Sequence, residues 1–73
     1  MKMIESYEIT VLIEAQHDAD GKPTAFDYAV VEFIVDSDGK ETENVLMSGS
    51  ANDFDSAERN VRVKLANLDR PTL

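Results

Sequence analysis

Seventy-three residues, no cysteine and a formal charge of −8 bound this chain before any motif is read. The length predicts a single domain, residues 1–73, whose core is marginal because so short a chain buries only about 60% of its unfolded surface. The missing cysteines exclude disulfides and thiolate metal sites, and fifteen acids against seven bases repel phosphate backbones, which speaks against direct nucleic-acid binding and for a basic protein partner.

The start, Met1-Lys2-Met3-Ile4-Glu5-Ser6, has one lysine and then acid, unlike a secretory signal. The densest apolar stretch, Ala29-Val30-Val31-Glu32-Phe33-Ile34-Val35, is broken by a glutamate and too short to span a bilayer. A cytoplasmic protein without membrane contact is expected.

From Tyr7 the chain alternates. Tyr7, Ile9, Val11, Ile13 and Ala15 are apolar and their neighbours mostly polar, which predicts a half-buried strand. From about Ala25 to Asp36 both parities are apolar, as in a central strand, and a third run from about Glu43 to Ser48 carries Val45, Leu46 and Met47. Between these runs the sequence repeats itself: Asp18-Ala19-Asp20-Gly21-Lys22 and Asp36-Ser37-Asp38-Gly39-Lys40. Aspartate at the first corner and glycine at the fourth fit a type I turn closed by a left-handed residue, the usual three-residue hairpin loop. An EF-hand reading of these segments fails, because the second would need Ile34 and Val45 as ligands. The turns set Val11 against Ala29, Ile9 against Val31 and Tyr7 against Phe33, then Val31 against Val45 and Ala29 against Met47.

The last third changes period. Phe54, Ala57, Val61, Leu65 and Leu68 step by three or four, one stripe of a helix from about Asp53 to Asn67. Asn52, Asp53 or Asp55 caps its start, and Asp55-Ser56-Ala57-Glu58 has capping-box spacing. Ser48-Gly49-Ser50 reads as the small-residue exit from the third strand. The predicted fold is α+β: a three-stranded antiparallel meander with one C-terminal helix packed on its Ile9–Val31–Val45 face. This β-β-β-α order, over roughly residues 5–68, is similar to the portion shared by double-stranded-RNA-binding domains and HicB-type antitoxins. The likeness is one of topology; Asp53, Asp55 and Glu58 stand where the RNA-binding domains carry a lysine-rich helix start.

No motif names a reaction. His17 is the only histidine, and the carboxylates fall on strand positions with no pocket implied to shift them. No enzyme and no cofactor or metal is expected. The helix's Arg59, Arg62, Lys64 and Arg70 are read as partners for acids of the sheet rim. The expected functional surface is the sheet face away from the helix, with Thr10, Leu12, Phe26, Tyr28, Val30, Ile34 and Leu46 ringed by Glu8, Glu14 and Glu32. So apolar a surface marks an interface. Two functions follow as expectations. One is a small acidic inhibitor, of a kind at home in phages and mobile elements, that occupies a basic nucleic-acid-binding surface of a partner. The other is a homodimeric structural or regulatory module, self-associating through the open face or an edge strand.

Overall fold

A computed structural model describes residues 3–68. Strands β1 (Ile4–His17), β2 (Pro23–Asp36) and β3 (Glu41–Ala51) form one antiparallel sheet in the order β1-β2-β3, and helix α1 (Phe54–Ala66) packs on one face. The β-β-β-α meander read from the sequence is the fold. β1 and β3 are longer than the hydropathy pattern indicates, and Ser48-Gly49-Ser50 belongs to β3 rather than to a loop.

The repeated pentapeptides are turns with the same hydrogen bonds. The Gly21 N–H donates to the Asp18 carbonyl at 3.0 Å, as Gly39 does to Asp36 at 3.0 Å, and both glycines sit at φ +81°. The first aspartate of each is occupied by its own turn. Asp18 Oδ1 accepts from the Asp20 and Lys22 amides at 2.9 and 3.0 Å, and Asp36 Oδ1 accepts from those of Asp38 and Lys40 at the same distances. This is the Asx-turn chemistry that explains aspartate there without a ligand.

The registers shift at three places. Past the first turn His17 pairs with Pro23, but Gln16 then pairs with Ala25, leaving Thr24 as an extra residue. From there to Ser6–Val35 the pairs are displaced by one: Val11 meets Val30, Ile9 meets Glu32 and Tyr7 meets Ile34; a further shift between Ser6 and Ile4 then sets Ile4 against Asp36. Proline's fixed φ belongs at a strand start or a bulge, and the Thr24 hydroxyl donates to the Gln16 carbonyl at 3.3 Å beside it. The second register holds as predicted at Val31–Val45, but Leu46 is then extra, so Val30 meets Met47 and Ala29 meets Ser48.

A one-residue slip moves a whole strand's side chains to the other face, and it changes which face the helix covers. α1 does not lie on Ile9–Val31–Val45. It lies on the face of Phe26, Tyr28 and Val30, joined there by Val11, Ile13 and Ala15 of β1 and by Met47, Gly49 and Ala51 of β3. The Phe26 and Phe54 rings meet edge to face with centroids 6.1 Å apart, Asn60 Nδ2 donates to the Tyr28 hydroxyl at 3.1 Å, and Val30 and Ala57 are fully buried. Gly49 is required because Tyr28 lies over it: a Cβ there would stand 2.5 Å from the Tyr28 hydroxyl oxygen. The slip gives the helix Phe26 and Tyr28, two of the three aromatic residues of β2, to cover, a larger apolar payload than Ala29 and Val31 offer.

Asp53 caps α1, its Oδ1 accepting from the Ser56 N–H at 2.7 Å, so the Asp55–Glu58 capping-box spacing is not used. At 13 residues α1 is about 20 Å long, against about 46 Å for a 14-residue strand. Starting beside Phe26, it ends short of Ile34. The far end of the sheet, built from Ile4–Ile9, residues 32–36 and residues 41–44, extends past the helix.

Candidate interaction surface

With α1 on the Phe26–Tyr28–Val30 face, the open face is built from the other parity. Its cross-strand rows run Ser6–Val35–Glu41, Glu8–Phe33–Glu43, Thr10–Val31–Val45, Leu12–Ala29–Ser48 and Glu14–Asp27–Ser50. The middle is apolar: Leu12 is 51% and Val45 63% exposed, while Val31 between Thr10 and Val45 is buried. Acids stand at both ends. Glu8 and Glu43 flank Phe33, with Glu41 in the next row, and Glu14 directly opposes Asp27. Glu8 and Glu14 are six residues apart on one strand, about 20 Å. Among the described residues this face carries no base.

Facing carboxylates are unfavourable. Gln16 Nε2 meets the Glu14–Asp27 pair in part, donating to Asp27 Oδ2 at 2.8 Å. At the other end Ser6, Glu8, Phe33, Ile34, Val35, Glu41, Thr42 and Glu43 line a hollow of about 420 Å³. The face as a whole sets carboxylates at its two ends and apolar side chains between them. It can receive guanidinium and ammonium groups at its two ends and aliphatic stems across its middle.

The residues expected on one face are divided between two. Glu8, Thr10, Leu12 and Glu14 are on the open face. Phe26, Tyr28, Val30, Glu32 and Ile34 are on the helix side, where Phe26, Tyr28 and Val30 meet α1. Glu32 accepts from the Tyr7 hydroxyl at 2.7 Å and from Asn44 Nδ2 at 3.0 Å. Leu46 is the half-buried extra residue of the β3 bulge. The sequence reading missed Asp27, Val31, Phe33, Val35, Glu41, Glu43 and Val45 as members of this surface. Pro23-Thr24 was the signal that would have found them.

Among the described residues, Arg59, Arg62 and Lys64 make no ion pair with acids of the sheet rim. Arg62 pairs with Glu58 on the helix itself at 3.0 Å, at exposures where such a pair contributes little. Arg59 and Lys64 border a groove with Tyr28, Met47 and Val63. Arg70 lies outside the described residues. His17 is exposed at the end of β1. The Ser56 backbone N–H, then the Ser56 hydroxyl, hold the Asp53 carboxyl below its ordinary value, with Arg59 adding to the effect.

Among the described residues no three or more histidine, cysteine or acidic side chains are grouped to hold a metal ion, and no helix is long and apolar enough to cross a membrane. No protein-family model, curated protein or solved structure matches the chain.

Proposed function

We propose that this protein is a non-enzymatic binding module whose open sheet face docks on a basic surface of a partner protein, in the way of an inhibitor that competes with nucleic acid for that surface. The observation that carries the reading is the distribution of charge on that face. Carboxylates stand at its two ends, an apolar strip lies between, and no cation among the described residues neutralises them. The Glu14–Asp27 opposition costs stability in the free protein, and a cation supplied by a partner relieves it. Size, acidity and the absence of cysteine suit a cytoplasmic protein of a phage or other mobile element acting on its host's nucleic-acid machinery.

Self-association through the same face is disfavoured. Two open faces brought together would place the five carboxylates of each copy, Glu8, Glu14, Asp27, Glu41 and Glu43, against one another.

The test is capture at low salt from a host lysate on the immobilised protein, followed by elution with DNA or RNA. The reading expects basic nucleic-acid-binding proteins that nucleic acid displaces and that rising salt releases steeply. Retained proteins indifferent to both would refute it.

A further inference from the structure

We infer that β1 is a pairing edge: it takes the β1 strand of a second copy alongside, antiparallel and two-fold about Leu12, so that two three-stranded sheets become one of six strands. The contact is the strand edge rather than the open face, and the inference stands without the reading given above for that face.

Two neighbouring side chains of β1 are both uncovered. Val11 is 39% and Leu12 51% exposed. Consecutive strand residues point to opposite faces, Val11 to the side of α1 and Leu12 to the open side. A layer laid on either face would reach one of them and leave the other. A strand alongside reaches both, and among the described residues β1 has no strand on its outer flank.

Nothing on that flank refuses a neighbour. Edges kept single carry lysine, proline or a bulge. β1, with the sequence IESYEITVLIEAQH, has no Lys, Arg or Pro. Its ladder is regular from Ser6 to Gln16, with register shifts only at its two ends. The opposite edge is interrupted, because β3 bulges at Leu46 in its middle.

Charge selects a second copy as the occupant and fixes the register. An incoming strand must oppose Glu8 and Glu14 with something other than a carboxylate. Centred on Leu12, the two copies set Glu8 against Gln16 and Glu14 against Thr10, so each of these carboxylates faces a donor. Gln16 gives Asp27 a hydrogen bond, and its amide has a second N–H to offer. Leu12 meets its own copy, and on the side of α1 Val11 meets Ile13 and Ile9 meets Ala15. Centring on Val11 instead would oppose Glu8 with Glu14, and centring on Thr10 would oppose Glu8 with Leu12, which has no donor. Across the seam the closest of these like charges, Glu14 and the second copy's Glu8, stand on a diagonal about 7–8 Å apart. Glu5 falls outside the paired stretch, in solvent beside the copy's first turn with its Asp18, Asp20 and Lys22, where salt screens it.

The helices leave room for this pairing. Each α1 stands on β2 at Phe26 and Tyr28, so the two are three strand spacings, about 14 Å, apart, beyond the roughly 8–10 Å at which helices touch.

The test is sedimentation equilibrium of the whole chain, with a carboxylate placed at exposed aliphatic positions on the two edge strands of one face. Wild type is expected at twice the chain mass of 8.1 kDa. Leu12→Glu opposes two carboxylates on the two-fold axis and should weaken the dimer at least about tenfold, with far-UV circular dichroism unchanged. Val45→Glu, on β3, should leave the dimer intact. Because the chain has no cysteine, Leu12→Cys reads the register: brief oxidation should link two copies through it, and Glu8→Cys should give no linked dimer. A wild type that stays monomeric at about 100 µM overturns the inference. So does a folded Leu12→Glu variant that remains dimeric, a dimer that Val45→Glu dissolves, or Glu8→Cys linking as readily as Leu12→Cys.

Discussion

Asp53 is where a single side chain sets a pH dependence. Its carboxylate is held by the Ser56 N–H and hydroxyl, so its pKa in the folded protein lies below its unfolded value. The sign follows from linkage: the ionised cap stabilises the fold above the unfolded pKa, and that contribution is lost as the pH falls through the folded pKa. Asp53→Asn keeps a capping side chain without the titration. Urea unfolding of both proteins between about pH 6 and pH 3 should show wild type losing stability relative to the variant as acid is added; parallel curves would remove Asp53 from the account. Gly49 makes a second prediction at this scale. A methyl group there meets the Tyr28 ring, and the ring cannot swing away without releasing Asn60. Gly49→Ala should therefore cost about 1–3 kcal/mol, whereas Gly49 read as part of a loop would tolerate alanine. Chemical denaturation separates the two.

At the scale of elements, the Thr24 bulge decides which face of β1 meets the helix. Removing Thr24 would restore the register that the first turn alone dictates and carry Val11 and Ile13 away from α1. The deletion should destabilise the protein by at least about 2 kcal/mol, the worth of one well-buried aliphatic side chain, and should weaken the near-ultraviolet signal of Tyr28. A deletion variant as stable as wild type would mean that the bulge does not set the fold. This is also the point at which the sequence misleads. The turns are legible because Asp and Gly at fixed positions have one good geometry, and the helix because its stripe and its cap at Asp53 agree. β2 is apolar on both parities, so either face could have held the helix, and periodicity has no means to choose. The choice is made by a proline and an unpaired threonine at the strand's start, and by the larger aromatic area that the slip brings under α1. With the face goes the candidate surface: Glu8 and Leu12 keep their place on it, while Tyr28 and Val30 become core. The bulge at Leu46 has no such sequence mark.

The whole molecule is a long sheet with an acidic side and a half-covered apolar side. On the acidic side, binding to a basic partner should depend on where the carboxylates are as well as on how many there are. Long-range attraction answers to net charge, but guanidinium groups seated beside Glu8, Phe33 and Glu43 answer to position. The most direct measurement compares the affinity of the captured partner for two variants of equal net charge. One is Glu8→Lys with Glu43→Lys, on the open face; the other is Asp20→Lys with Asp55→Lys, at the first turn and the helix start. The account predicts that the first pair lowers affinity by at least about tenfold and the second by less than about threefold at physiological salt. Equal losses from both pairs would show that only total charge matters and would contradict the assignment of the open face as the binding surface.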